Sequence, residues 1–248
     1  METITELIHH LQALLEQHAS PTTKEWWEKY MRYEIPFRGV GIPEIRQQIA
    51  SWREDYGIAA WSEEDQLRIA LRLFEFPIAE DKLAGILFLQ NYLYDKFDWK
   101  TLLEKYEQLY LNGWIFDWNT CDWFCVRVLG PTIAQHGLPC ASAITSWNRS
   151  ENLWQARSSV VAFVPVSSDS RYYPLIYESC GVLIQREERF AKTAVGWILR
   201  DLSKNDSDGV RQFVDQNLGN FSNESLKNAL KYFSENERRE FVQRLKTT

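Results

Sequence analysis

The sequence predicts an all-α protein, and three observations carry that reading. Apolar residues recur at three- and four-residue spacings along nearly the whole chain, the spacing of one helix face. These periodic runs are short and separated by polar or Pro/Gly breaks such as Glu75-Phe-Pro77, Gly130-Pro131, Gly137-Leu-Pro139 and Asn217-Leu-Gly219. The Thr/Val/Ile-rich alternation that marks strands is nearly absent.

Taken in order, residues 3–18 set Ile4, Leu7, Ile8, Leu11, Leu14 and Leu15 on one stripe opposite Glu6, His10 and Glu16, an amphipathic helix. Pro21-Thr-Thr-Lys-Glu25 starts a second helix through Trp26, Trp27, Tyr30 and Met31. Two prolines and two glycines between Tyr33 and Pro43 predict a loop. Pro43-Glu44 fits the first turn of the next helix, where a missing N–H costs nothing. Gly39-Val-Gly41 is not a dinucleotide fingerprint, because no strand precedes it and no third glycine follows. Helical segments are then expected at 43–55, 62–75, 80–94, 99–111, 119–136, 138–147, 152–164, 171–185, 187–203, 207–217, 222–233 and 235–246. The β-leaning run from Val160 lies inside a helical pattern that Pro165 terminates.

Many short helices in pairs of roughly 35 to 45 residues point to an α-α superhelix, a HEAT-like repeat solenoid in which each pair buries its face by stacking on neighbours. Such a stack offers one concave surface suited to a long ligand. No linker or low-complexity stretch interrupts the chain, so residues 1–248 are expected to form a single domain.

Composition narrows the function classes. Hydrophobic residues at 45% and charged residues at 25% are ordinary for a globular protein, and most of the 11 Trp are expected in helix packing. A net charge of −6 gives no global basic signature, although a local basic strip suffices for phosphate contact. Cys121, Cys125, Cys140 and Cys180 form no Cys-x-x-Cys pair, and the four His form no His-Glu-x-x-His pattern. The thiols are therefore expected buried and reduced, with no metal and no cofactor. A P-loop is lacking as well. The N-terminal residues carry acids where a signal peptide would be basic and then apolar, and no apolar run approaches the ~20 residues that span a bilayer. A cytoplasmic, nucleoid-associated protein with no membrane contact is expected.

The most informative stretch is Trp114-Ile-Phe-Asp117-Trp118-Asn-Thr-Cys-Asp122-Trp123. If the run is helical, Trp118 and Asp122 stand one turn apart on one face. An aromatic plate beside a carboxylate suits a site that meets a cation. Two later runs look like its complement, Asn152-Leu-Trp-Gln-Ala-Arg157 and Thr193-Ala-Val-Gly-Trp197-Ile-Leu-Arg200. Each residue also has a structural alternative: Asp122 as a cap, Trp118 and Trp197 as packing, Arg157 and Arg200 in ion pairs.

At these segments the chain resembles the AlkD-type DNA alkylation repair glycosylases, a family of HEAT-like helical repeats. The likeness begins at Tyr30-Met31 and Phe37-Arg-Gly-Val-Gly-Ile-Pro43-Glu-Ile-Arg46. It continues through Trp118-Asn-Thr-Cys-Asp122 and Asn152–Arg157, and is most specific at Ala194-Val-Gly196-Trp197-Ile-Leu-Arg200. The resemblance implies removal of cationic alkylated purines, such as 3-methyladenine and 7-methylguanine, from double-stranded DNA; the motifs place no lysine nucleophile, so a monofunctional enzyme is expected, and a monomer. It implies catalytic roles for Asp122, Trp118 and Trp197, and DNA contacts for Tyr30, Arg157 and Arg200. Asn119 stands where the family motif carries an acid, and Cys121 where it carries an aliphatic residue. Thr193 replaces a lysine that Lys192 partly supplies for DNA contact. These departures, with the acidic balance, keep two other readings open: a DNA-structure-binding relative without base excision, and a protein-interaction scaffold.

Overall fold

A computed structural model describes residues 3–247. Among them there is no strand, and the chain is all-α. It divides into two compact units, Met1–Val128 and Leu129–Thr248.

The first unit holds α1 (Ile4–Gln17), α2 (Pro21–Tyr30), α3 (Ile42–Asp55), α4 (Glu63–Arg72), α5 (Ala79–Phe88), α6 (Trp99–Leu111) and α7 (Trp118–Phe124). Side-chain caps fix several starts, as an orphan backbone N–H needs an acceptor. Thr3 and Glu6 form a capping box on α1, the Ser20 hydroxyl accepts from Thr23 N–H, and Asp98 accepts from Lys100 and Thr101. Alternate helices pack on one another, α1 on α3, α3 on α5 and α5 on α7, the arrangement of a helical repeat. Trp52 pins the first of these contacts by donating its indole N–H to the Leu7 carbonyl at 2.9 Å.

The predicted loop is a loop, but a rigid one. Buried Glu80, at the start of α5, accepts the backbone N–H groups of Arg38, Gly39 and Val40 at 2.9, 2.8 and 3.0 Å. The Arg38 guanidinium grips Asp81 through two bonds of 2.9 and 3.1 Å. Burial pushes the Asp81 carboxyl up in pKa, against the pull of Arg38. Gly39 has φ +92°, and a β carbon there would lie 2.2 Å from the Ser20 carbonyl, so only glycine lets this loop close on the start of α2.

The second unit holds α8 (Gly130–His136), α9 (Leu138–Thr145), α10 (Leu153–Val161), α11 (Tyr173–Leu183), α12 (Arg189–Leu202), α13 (Ser207–Asn217), α14 (Asn223–Ala229) and α15 (Glu235–Leu245). Here α10 packs on α12 and α12 on α14. A β carbon on Gly196 would sit 2.6 Å from the Ser225 carbonyl, so the missing side chain is what lets α12 lie against the start of α14.

Element limits differ from expectation in instructive places. The helix expected over 119–136 is α7, a π-turn over Cys125–Leu129, and then α8 with Pro131 in its first turn. The wider i→i+5 loop accommodates a proline inside an otherwise continuous run. α14 stops at Ala229, short of the expected 233, because the chain tightens through Lys231 N–H to Asn228 and Phe233 N–H to Leu230 bonds that bury Phe233. All four cysteines are free thiols and buried, as expected. Among the described residues no helix is long and apolar enough to cross a membrane.

Candidate nucleic-acid interface

In the first unit the site grows from the start of α7. Asp117 is its N-cap, accepting Thr120 N–H at 2.9 Å, so Trp118 is the first helical residue and Asp122 follows one turn later. Asp117 is itself buried, and burial pushes its carboxyl up in pKa despite the Thr120 bonds. Trp118 and Asp122 are both half-buried.

Helix α2 supplies the facing aromatics, and none of its own residues is fully buried. It is held by Trp27, which stacks on Phe37 with centroids 5.6 Å apart, over a cluster of Met31, Ile35, Phe37 and Ala79. Trp118 packs against the same cluster. Tyr30 meets Trp118 edge-on with centroids 5.4 Å apart and stacks on Trp26 at 5.3 Å, the two planes within 9°. Tyr30 and Trp26 remain 55% and 57% exposed, an unusual state for large rings in a packed protein. A recess of ≈ 70 Å³ is lined by Trp27 and Phe37 with Trp123, Glu80 and Asn119. The structure thus brings Tyr30, Trp118 and Asp122 into one neighbourhood. Trp26, which the sequence placed on the second helix without a role in the site, joins them; its position four residues before Tyr30 was the available signal.

In the second unit, α12 carries Lys192, Trp197 and Arg200. Trp197 is half-buried, with the Arg200 guanidinium 5.9 Å from its ring centroid. Arg200 also pairs with Asp201 at 3.0 Å, and Lys204 reaches the other Asp201 oxygen at 2.8 Å. Burial opposes the Asp201 charge, but hydrogen bonds from Lys204 and Arg200 outweigh it and hold the carboxyl below its usual range. The Lys192 ammonium donates to the Asn220 carbonyl at 2.8 Å. Arg157 is only 4% exposed and bridges α10 to α12, donating to the Phe190 carbonyl at 2.6 Å and to the Thr193 hydroxyl at 3.3 Å. Of the four residues expected on DNA, Tyr30 faces solvent while Arg157, Lys192 and Arg200 have internal partners.

A family model described as DNA alkylation repair enzyme matches residues 11–233. Among solved structures, a "predicted DNA alkylation repair enzyme" from Enterococcus faecalis superposes with a TM-score of 0.75 at 18% identity, covering 88% of this chain and 98% of that one. No protein of curated function matches the sequence.

Proposed function

The chain belongs to the DNA alkylation repair enzyme family, and on that premise we propose that it is a monofunctional DNA glycosylase releasing cationic alkylated purines from double-stranded DNA. One observation carries the proposal: the half-buried Trp118 indole, walled by Tyr30, with the Asp122 carboxylate one turn along the same helix. Alkylation leaves the purine positively charged, so the bond from C1′ to the base nitrogen is already weakened. As that bond breaks, its electron pair neutralises the departing base and the sugar becomes oxocarbenium-like. A carboxylate aimed at this developing charge stabilises the transition state more than the ground state. Asp122 takes that role and orients the water whose oxygen adds to C1′, the proton that the water loses passing to solvent. Indole faces at Trp118 and Trp197 attract cationic sugar or base, each contributing ~0.5 to 2 kcal/mol. Tyr30, Lys192 and Arg200 are assigned to holding the duplex directly and Arg157 to holding it through the α12 segment that its guanidinium fixes, with the chain acting as one domain and a monomer.

No strand nicking is expected. Lys82, whose pKa burial pushes down to about 8, is sealed beneath the Phe74 and Trp114 carbonyls and is 1% exposed, out of reach of a sugar aldehyde.

The test is base release from a duplex containing 7-methylguanine. Wild type should release it, and Asp122→Asn should be slower by roughly 100-fold. Release by wild type no faster than the spontaneous rate defeats the proposal. A second reading, DNA-structure binding or protein scaffolding without catalysis, draws on the internal partners of Arg157, Lys192 and Arg200. Duplex binding without base release would favour it.

A further inference from the structure

Helix α2 closes on two consecutive non-glycine residues in the left-handed region, Arg32 with φ 54° and Tyr33 with φ 59°. The Tyr33 N–H reaches back to the Glu28 carbonyl at 2.7 Å and the Arg32 N–H to Lys29 at 3.1 Å. This is the backbone of a helix terminus at which glycine is the favoured residue, since a β carbon crowds the backbone at such φ. Neither side chain compensates by packing. Both are exposed, Tyr33 to 66%, and among the described residues Arg32 pairs with no carboxylate.

The other cations of α2 are neutralised on the helix itself, Lys29 by Glu25 at 2.7 Å and Lys24 by Glu28 at 3.9 Å. Arg32 is therefore an uncompensated positive charge carried on a turn whose backbone bonds return to α2. That turn continues directly from the exposed Trp26–Tyr30 stack, which runs on to Trp118. Aromatic stack, free cation and exposed phenol thus follow one another within one short stretch of the chain, Trp26 to Tyr33.

We propose that Arg32 and Tyr33 clasp the DNA backbone beside the Trp118–Asp122 site, the guanidinium binding a phosphate and the phenol packing on the adjoining sugar. The inference rests on the DNA reading above and extends it to two residues. Arginine suits the role because its planar fork matches phosphate oxygens.

Glycine at both positions separates fold from function, because it relaxes the turn while deleting the clasp. The full-length Arg32→Gly/Tyr33→Gly protein, the Arg32→Lys/Tyr33→Phe protein and wild type are compared on a fluorescein-labelled duplex, with and without 7-methylguanine, across a salt series. Thermal unfolding of each is followed in parallel. The glycine protein should keep its Tm or gain up to ~4 °C. Its duplex affinity should fall about 10-fold at low salt, and its log affinity against log salt should flatten by about 0.9, one phosphate contact. The Lys/Phe protein should keep the wild-type slope. Wild-type affinity and slope in the glycine protein overturn the clasp, as does a clear loss of Tm, which would assign the side chains to the fold. Base release by wild type with unchanged affinity in the glycine protein sinks the clasp and leaves the glycosylase reading standing. Wild type that neither binds duplex nor releases base removes both.

Discussion

The Tyr30 ring meets the Trp118 indole edge-on, with centroids 5.4 Å apart and planes at 72°. This contact joins α2, which buries almost nothing of its own, to the helix that carries Asp122. Edge-to-face pairs of this kind couple by ~0.5 to 1.5 kcal/mol beyond the area they bury. Unfolding free energies of Tyr30→Ala, Trp118→Ala and the double variant should therefore show a positive coupling in that range, and Tyr30→Phe should retain it. Strictly additive losses would mean that the two rings do not pack together in solution.

How far the site could be read in advance depended on whether its cause was local. The Trp118–Asp122 relationship was legible because the Asp117 cap and the four-residue spacing lie in one short segment. Pro36, Gly39, Gly41 and Pro43 announced a loop for the same reason. Its rigidity was not visible, since it comes from Glu80 and Asp81, some forty positions away, whose carboxylates are buried against that loop. The strained pair Arg32–Tyr33 was equally hidden: nothing in a Tyr-Met-Arg-Tyr run signals a left-handed turn, and only the backbone reveals it. Arg157, Lys192 and Arg200 show a further limit. A motif places an arginine on a helix, but it does not say whether so long a side chain reaches outward or folds back onto a neighbouring carbonyl.

Arg157 makes that distinction measurable. Its guanidinium bonds the Phe190 carbonyl and the Thr193 hydroxyl while almost wholly buried. Arg157→Ala should then destabilise the protein by about 1 to 3 kcal/mol in urea unfolding, because the carbonyl it serves is left without its charged donor. The salt dependence of duplex binding should stay at the wild-type slope. Full stability with a flattened salt slope would instead place this side chain on phosphate in the working protein.

Lys82 offers a pH dependence with a definite direction. Burial pushes its pKa down from 10.5 to about 8, although Asp117 and Asp81 favour the charged form. Between about pH 8 and 10.5 the unfolded chain therefore holds this proton while the folded chain has released it. Stability must rise with pH across that window, since the state that binds more protons is disfavoured as protons become scarce. The full gain is on the order of 3 kcal/mol, taking ~1.4 kcal/mol for each unit of displacement. The neutral amine still donates to the Phe74 and Trp114 carbonyls, so the anchor ahead of α7 survives deprotonation. In Lys82→Met the titration is gone and both carbonyls lose their donor. The stability of wild type relative to Lys82→Met should consequently widen from pH 7.5 to pH 9.5 in urea unfolding. A gap that stays flat over this range would mean that water reaches the ammonium, and that the contact between α5 and the approach to Trp118 is looser than its burial indicates.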